Sequence, residues 1–247
     1  GGFVITWRTQ DSAQDRSYDA IKAQVFNATG APVGGEFLVN TETAQEQLNP
    51  RIASLTDGGF VVTWYTKDYS QDGYGAAVKA QVFDASGTPV GVEFLVNSVT
   101  SRDQVDPAVA GLTNGGFVVT WRTDEIKENR SDFEIKAQIF DAAGTPVDGE
   151  FLVNSESAGD QYNPGITGLA NGRFIVTWRG YDPSVPSSYS TEVKARIFDA
   201  SGAPVRDEFR LNSQAAGGQD YPSITGLPDG GFVATWQTAD YRQDGSG

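Results

Sequence analysis

Acidic and amide side chains recur at fixed distances after the tryptophans of this sequence. Four and eight residues past a Trp, the chain carries the pairs Asp11 and Asp15, Asp68 and Asp72, Glu125 and Asn129, and Asp240 and Asp244. Oxygen ligands on a glycine-containing loop, as in QDGYG and QDGSG, suit Ca²⁺, which takes about 6–8 of them. The spacing differs from that of an EF-hand loop, and Asp with Gly is also the ordinary composition of a solvated turn. Two interpretations stand: a calcium site in these loops, or a plain turn.

A second group of polar and aromatic residues predicts contact with glycans. A Gln recurs three residues before a Pro, and its amide could orient a sugar hydroxyl group. Exposed tyrosines are expected near the acidic loops, where a ring can stack on a sugar. The candidates are Gln47, Gln104, Gln161 and Gln219 for the amide, and Tyr69, Tyr74 and Tyr241 for the ring. The alternative for the Gln residues is structural, with each amide satisfying loop backbone at a crossover between repeats.

The composition excludes several function classes. The 247 residues include 32 Asp and Glu against 18 Lys and Arg, a net charge of −14, and no Cys, His or Met. Disulfide frameworks, zinc fingers and His-based nucleophilic catalysis are therefore excluded. A pI near 4.3 argues against nucleic acid as a partner. The sequence has no run of about 18 consecutive apolar residues, so we expect no insertion into a membrane. The chain opens on Gly1, which predicts a fragment of a longer protein.

A long internal repeat organises the whole chain. The tryptophans lie at Trp7, Trp64, Trp121, Trp178 and Trp236, with spacings of 57, 57, 57 and 58 residues. We interpret residues 1–247 as one repeat domain with units of approximately 1–57, 58–114, 115–171 and 172–229, followed by a fifth start at 230–247. Lys22, Lys79, Lys136 and Lys194 recur with the same period, as do Glu36, Glu93, Glu150 and Glu208, which predicts ion pairs on strand faces.

Each repeat reads as four short strands. In the second repeat these are GGFVVTW, VKAQVFD and EFLVN, and a fourth strand follows the pattern PxIxxL. Both faces of the first strand are apolar, as expected when a sheet packs between two others. We therefore predict an all-β, β-propeller-like array of four-stranded antiparallel blades with a period of about 57 residues. An open stack of small sheets is the alternative, and the number of blades stays open.

Turn residues predict which loops share an end of each sheet. Asp57-Gly58, Asn114-Gly115, Asn171-Gly172 and Asp229-Gly230 predict tight hairpins of type I′. The segment DASGTP and its copies predict Asx-turns with a left-handed glycine. An antiparallel sheet then places the loop after Trp and the connector before the PxIxxL strand at the opposite end. That end is the candidate functional face, because length and variability concentrate there.

The units GGFVVTW, QDGYG, VKAQVFDASGTPVG and EFLVN resemble repeats of very large secreted bacterial surface proteins. These are adhesin-like proteins, often of the RTX, hemolysin-type calcium-binding class, although the RTX nonapeptide itself is absent. The resemblance implies an extracellular or cell-surface location and a structural or adhesive role. We therefore expect a non-enzymatic module with calcium-stabilised loops. A multivalent lectin with one sugar site per blade is the alternative, and a glycoside hydrolase is a remote one.

Overall fold

All the regular secondary structure of the residues that the structure describes is β-strand. The computed structural model describes residues 1–10, 19–43, 45–67, 75–127, 130–155, 159–181, 191–213 and 217–239. Within these ranges the strands are β1 (Gly2–Thr9), β2 (Ala20–Asn27), β3 (Pro32–Leu38), β4 (Gln47–Ser54), β5 (Phe60–Thr66), β6 (Ala77–Phe83), β7 (Pro89–Leu95), β8 (Gln104–Gly111), β9 (Phe117–Lys127), β10 (Arg130–Phe140), β11 (Phe151–Leu152), β12 (Tyr162–Gly168), β13 (Phe174–Tyr181), β14 (Thr191–Phe198), β15 (Phe209–Arg210), β16 (Gln219–Gly226) and β17 (Phe232–Thr238). No helix in these ranges is long and apolar enough to cross a membrane.

The strands form five antiparallel sheets in chain order. Three sheets have four strands, ordered β4-β5-β6-β7, β8-β9-β10-β11 and β12-β13-β14-β15. The first sheet, β1-β2-β3, has three strands, and the last, β16-β17, has two. The predicted all-β antiparallel architecture is confirmed. The predicted four-stranded unit is present in the middle three sheets, and the sheets do not close into a ring within the described part of the chain.

The strand that follows each connector is the innermost strand of its sheet. β4, β8, β12 and β16, which we call the inner strands, contact one another in sequence. Glycines allow this close approach: a Cβ on Gly168 would lie 2.4 Å from the carbonyl oxygen of Gly111, and one on Gly226 would lie 2.5 Å from that of Gly168. The inner strands therefore line a common central cavity, and the other strands extend outwards from it.

Apolar cores fill the spaces between successive sheets. Between the second and third sheets, Val61 and Val82 pack against Val119, Trp121 and other residues of the next sheet. Trp64, Trp121 and Trp178 are fully buried, so the tryptophans of the three four-stranded sheets are part of these cores. Paired phenylalanines close the outer end of each core in stacked geometry, as Phe60 does with Phe83 at 5.1 Å.

The turns differ from the sequence prediction in one respect. In the Asp57-Gly58 hairpin, Gly58 N–H donates to the Leu55 carbonyl, and only Gly58 has a positive φ, of 90°. A type I′ turn needs two positive φ angles, so the type I′ prediction is wrong, and one left-handed glycine ends the turn instead. The Asx-turns are confirmed: Asp84 Oδ1 accepts hydrogen bonds from the N–H groups of Ser86 and Thr88, and Gly87 has φ 87°.

Ion pairs join each sheet to the connector of the sheet before it. Lys79 Nζ lies 2.7 Å from Glu93 Oε1, and the other oxygen of Glu93 accepts the Thr41 N–H at 2.6 Å. Glu150 and Glu208 repeat this arrangement with the N–H groups of Ser98 and Ser155. The predicted Lys–Glu pairs are thus present, and they connect successive sheets as well as strands within one sheet.

Candidate functional site

The longest connections emerge at one end of the sheets. Gln47 at the start of β4 pairs with Thr66 at the end of β5, and Thr66 pairs with Ala77 at the start of β6. The loop from β5 to β6 and the connector to β4 therefore leave from the same end. The Asp-Gly hairpins and the DASGTP turns lie at the opposite end, where Phe60 pairs with Phe83. The predicted placement of these two connections at one end of the sheets is confirmed, and a function for that end stays a prediction.

A β-bulge interrupts every inner strand close to that end. The pairing register shifts two residues before each inner-strand proline, and the residue directly before the proline has a positive φ. The four left-handed residues are Asn49 (φ 50°), Asp106 (φ 54°), Asn163 (φ 52°) and Tyr221 (φ 51°). Asn and Asp tolerate this conformation, but for Tyr it is strained, and such strain concentrates at functional sites.

These bulges surround a cavity at the same end of the inner strands. The cavity has a volume of about 720 Å³. We call it the channel mouth and define it by its polar and aromatic lining residues Asn49, Arg51, Asp106, Asn163, Tyr221 and Ser223. Tyr221 is 66% exposed, so its ring is open to a ligand. The bulge thus turns one side chain per inner strand towards a common space.

A continuous set of polar contacts runs behind the channel mouth. Asp106 accepts a hydrogen bond from Asn49 at 3.2 Å, and its other oxygen lies 3.2 Å from Arg122 Nε. Asp220 accepts hydrogen bonds from Asn163 and Arg179, both at 2.8 Å. We call this set the mouth network. Its residues, each in contact with the next, are Asn49, Asp106, Arg122, Tyr162, Arg179, Asp220 and Asn163.

Tyr162 joins the two halves of the mouth network. The Arg122 and Arg179 guanidinium carbons lie 5.3 and 4.5 Å from its ring centroid, and Arg122 also lies 4.6 Å from the Phe133 ring. The Tyr162 hydroxyl donates to Asp160 at 3.1 Å. Burial, with Asp160 as the next contributor, raises the pKa of Tyr162, so its hydroxyl is neutral at physiological pH. Each guanidinium is therefore fixed by both a carboxylate and an aromatic ring.

The mouth network departs from the repeat. The positions equivalent to Tyr162 hold Leu48, Val105 and Asp220 in the other inner strands. The positions equivalent to Arg122 hold Arg8, Tyr65, Arg179 and Gln237 in the other sheets. The network as a whole is therefore not a copy of one repeat unit.

The sequence-predicted glutamines are in the core. Gln47, Gln104 and Gln161 are fully buried, and their side-chain oxygens accept hydrogen bonds from the indole N–H groups of Trp64, Trp121 and Trp178 at 2.7, 2.8 and 2.9 Å. Gln219 is equally buried and donates to Thr238 at 3.0 Å. These contacts fit the structural interpretation of the QxxP motif. A ligand-binding role for the four residues stays a prediction without a contact to support it.

The predicted calcium ligands lie almost entirely outside the described residues. Asp11, Asp15, Asp68, Asp72, Asn129, Asp240 and Asp244 are in this group, as are the stacking candidates Tyr69, Tyr74 and Tyr241. Glu125 is described, and its carboxylate lies 2.7 Å from Lys136 Nζ. Burial acts to lower the pKa of Lys136, but Glu125 and Glu150 outweigh it and raise the pKa. The described ranges contain no group of three or more acidic side chains placed to hold a metal ion.

The residues that form the channel mouth were missed at the sequence level. Asn49, Asp106, Asn163 and Tyr221 sit inside the QxxP motif, directly before its proline, and share the repeat period. A signal was present, because Asn and Asp before Pro at a strand position are typical of irregular backbone. Nothing in the period itself showed that this strand is innermost.

The fold has several relatives among solved structures. An α-L-arabinofuranosidase from Fusarium graminearum matches with 10% identity and a TM-score of 0.58, over 96% of this chain and 72% of that one. A puromycin hydrolase matches with 14% identity and a TM-score of 0.58, over 95% of this chain and 34% of that one. An endo-arabinase from Bacteroides thetaiotaomicron matches with 13% identity and a TM-score of 0.50, over 97% and 89%. No protein-family model and no curated protein matches the sequence.

These likenesses show a shared fold and correct the functional expectation. The chain was expected to be a non-enzymatic structural or adhesive module. That expectation is wrong, because the three structures compared above share its fold and are an endo-arabinase, a puromycin hydrolase and an α-L-arabinofuranosidase. Of the functions considered from the sequence, the remote alternative, a glycoside hydrolase, is the one that this comparison favours.

Proposed function

We propose that this chain is a propeller of the glycoside-hydrolase type and that it acts on a glycan bound at the channel mouth. The observation that carries the proposal is the mouth network, in which two carboxylates, two guanidinium groups and two amides converge behind an exposed tyrosine ring. The fold is also that of an endo-arabinase and an α-L-arabinofuranosidase. On this proposal the five sheets are blades around the central cavity, and arabinose-containing polymers are the first substrates to test.

Asp106 and Asp220 are the proposed reactive carboxylates. Glycoside hydrolysis commonly uses two carboxyl groups, one as base or nucleophile and one as acid. Each carboxylate is held in place by a guanidinium group: Arg122 Nε lies 3.2 Å from Asp106, and Arg179 Nη1 lies 2.8 Å from Asp220. These fixed carboxylates at the channel mouth are the candidates for the base or nucleophile role.

Tyr221, Asn49 and Asn163 are the proposed sugar-binding residues. An exposed aromatic ring covers the apolar face of a sugar, while side-chain amides donate to and accept from its hydroxyl groups. Asn49 and Asn163 already donate to Asp106 and Asp220, and their amide oxygens remain to accept from hydroxyl groups. The left-handed backbone fixes both side chains before a ligand arrives, which reduces the entropy cost of binding.

The experiment is a hydrolysis assay with arabinan and with aryl α-L-arabinofuranosides. We expect turnover by the unaltered chain and a loss of kcat/KM of about a hundredfold or more in Asp106→Asn and Asp220→Asn. Asp207→Asn is the matched control, because Asp207 is exposed and has no ion pair or hydrogen bond among the described residues. Activity that is equal in all three variants would place the chemistry elsewhere and refute the assignment.

A carbohydrate-binding function is the second candidate. It is favoured by one specific feature: each carboxylate is already engaged by an arginine and an asparagine, as in a fixed binding surface. Calorimetric titration with arabino-oligosaccharides separates the two functions. Binding without turnover that is lost in Tyr221→Ala would support the lectin, whereas turnover would support the hydrolase. Calcium in the acidic loops and an extracellular location stay predictions of the sequence alone.

A further inference from the structure

One cation interrupts a set of small, uncharged residues in the wall of the channel mouth. Each inner strand has one residue directly after its proline, and all four of these residues line the cavity. They are Arg51, Ala108, Gly165 and Ser223. The last three leave open space in front of them, whereas Arg51 carries a full positive charge on a long side chain. Arg51 is therefore the one charged group among four equivalent positions of the repeat.

The guanidinium group of Arg51 is available to a ligand. Arg51 is exposed, and its Nη1 donates a hydrogen bond to the Pro50 carbonyl at 3.0 Å. This bond holds the side chain against its own strand but uses only one of its N–H donors. Within the ranges that the structure describes, Arg51 forms no ion pair with a carboxylate. Its charge and most of its donors are thus left for a bound molecule.

The two carboxylates of the mouth network do not neutralise Arg51. Arg122 Nε lies 3.2 Å from one oxygen of Asp106, and the other oxygen accepts a hydrogen bond from an asparagine. Arg179 lies 2.8 Å from Asp220. The formal charges of these two pairs cancel, so Arg51 adds a positive charge to the site although the chain has a net charge of −14. Such a local field favours an anionic group on the ligand.

The chemistry of the site fits a carboxylate attached to a sugar ring. A guanidinium group is planar, and its N–H groups match the two oxygens of a carboxylate. The exposed ring of Tyr221 and the amides of Asn49 and Asn163 line the same cavity, and these are groups that bind a sugar ring and its hydroxyls. A uronic acid unit has both features, because it is a sugar ring with a carboxylate in place of the primary hydroxyl group. The cavity volume of about 720 Å³ is typical of a small-molecule site.

We propose that the glycan bound at the channel mouth carries a carboxylate, as a uronic acid unit does, and that Arg51 recognises this group. The inference rests on the proposed function, since it names the substrate class of the same site. The sugar ring lies on Tyr221, and its carboxylate accepts hydrogen bonds from the Arg51 guanidinium. Arg51 selects the glycan and takes no part in bond cleavage, so it is a specificity-determining residue.

The test is calorimetric titration with a galacturonate oligosaccharide and with its methyl ester, which is the same sugar without the charge. We expect the acid to bind the unaltered chain with a Kd about fivefold lower than that of the ester, as for a well-formed ion pair at an open site. In Arg51→Gln the ratio of the two Kd values should fall to about one, because Gln keeps hydrogen-bond donors but has no charge. Binding of the ester also shows that the site of each variant is folded.

Two further variants separate the charge of Arg51 from other effects. Arg173→Gln is the matched control, because Arg173 is also exposed but lies in the turn before β13, at the opposite end of the sheets. Its ratio should equal that of the unaltered chain. Arg51→Lys keeps the charge without the planar fork and should give an intermediate ratio. A ratio in Arg51→Lys no greater than in Arg51→Gln would contradict recognition through the charge.

The outcomes distinguish a failure of this inference from a failure of the proposed function. Equal Kd values of the acid and the ester for the unaltered chain, with binding or turnover of a neutral arabino-oligosaccharide, would overturn carboxylate recognition alone. Binding of no oligosaccharide, neutral or acidic, would refute both. Preference for a sulfated oligosaccharide over the galacturonate would show that the anion is a sulfate ester and overturn the proposed carboxylate. A ratio that is as large in Arg51→Gln as in the unaltered chain would overturn the role of Arg51.

Discussion

The indole N–H of Trp121 donates a 2.8 Å hydrogen bond to the side-chain oxygen of Gln104, and both side chains are buried. The same bond joins Trp64 to Gln47 and Trp178 to Gln161. It fixes the start of each inner strand to the middle of its neighbour, directly beside the bulge that forms the channel mouth. The core and the candidate site are therefore coupled through one polar contact per sheet.

Loss of this contact should destabilise the fold. In Gln104→Leu the buried indole N–H of Trp121 keeps no partner, which costs about 1–3 kcal/mol. Urea unfolding should show this decrease in the free energy of unfolding. Trp121→Phe with Gln104→Leu completes a double-mutant cycle, and a coupling energy near zero would show that the bond contributes nothing.

The ion pairs between sheets make stability dependent on pH. Burial acts to raise the pKa of Glu93, but the hydrogen bonds from Lys79 and Thr41 outweigh it, so the pKa lies below its usual value. A group whose pKa is lower in the folded state stabilises the fold above its unfolded pKa, about 4.3 for Glu, and this contribution is lost as the pH falls through the folded pKa. We expect the free energy of unfolding to decrease below about pH 4.3.

The Glu93→Gln variant isolates this effect. Its free energy of unfolding should be lower than that of the unaltered chain at pH 7, and the difference should shrink in acid. Glu36→Gln is the control, because Glu36 is 57% exposed and lies 3.6 Å from Lys22. A pH dependence that is as large in Glu93→Gln as in the unaltered chain would contradict the assignment.

We expect Tyr221 to lower the stability of the fold and to be needed for glycan binding. A Tyr at φ 51° is strained, and Gly adopts this conformation without the steric penalty. Because Gly also increases the entropy of the unfolded chain, we expect Tyr221→Gly to raise the free energy of unfolding by only about 0.5–1 kcal/mol. The same variant should lose glycan binding. Thermal unfolding and calorimetric titration measure the two effects, and a variant that is both less stable and still able to bind would refute this role.

The close approach of the inner strands should be sensitive to a single methyl group. A Cβ on Gly168 would lie 2.4 Å from the backbone oxygen of Gly111, so Gly168→Ala must separate the strands. We expect a cost of about 1–3 kcal/mol in urea unfolding. Gly149→Ala is the control, since a Cβ there meets no atom within 4 Å. Equal stability of the two variants would show that the inner strands can move apart freely.

Calcium binding by the acidic loops is tested by chelation. If the paired carboxylates bind Ca²⁺, EGTA should lower the Tm and added Ca²⁺ should restore it, because a ligand that binds only the folded state stabilises it. Asp68→Asn with Asp72→Asn should remove part of this response. An unchanged Tm in EGTA would contradict the prediction.

Local features of the fold were predictable because their causes are local. The period of Trp7, Trp64 and their counterparts predicted the repeat, and the short apolar run GGFVVTW predicted β5 within about two residues of Phe60–Thr66. Asp84 and Gly87 predicted their turn correctly, since an Asx-turn needs only neighbouring atoms. The hairpin at Gly58 was assigned the wrong turn type, because the same dipeptide fits a turn with one left-handed residue.

The sequence by itself determined the all-β class, the repeat, the Asx-turns and the Lys–Glu pairs. Only the tertiary structure decided that the proline-containing strand is innermost, and so that Asn49 reaches Asp106 and that Asn163 reaches Asp220. These partners are a full repeat apart, and their meeting depends on how one sheet packs on the next. A strand pattern encodes which face is apolar, but it does not encode which edge of the sheet faces the common axis. That choice follows from the close backbone contact that glycines such as Gly168 allow between inner strands.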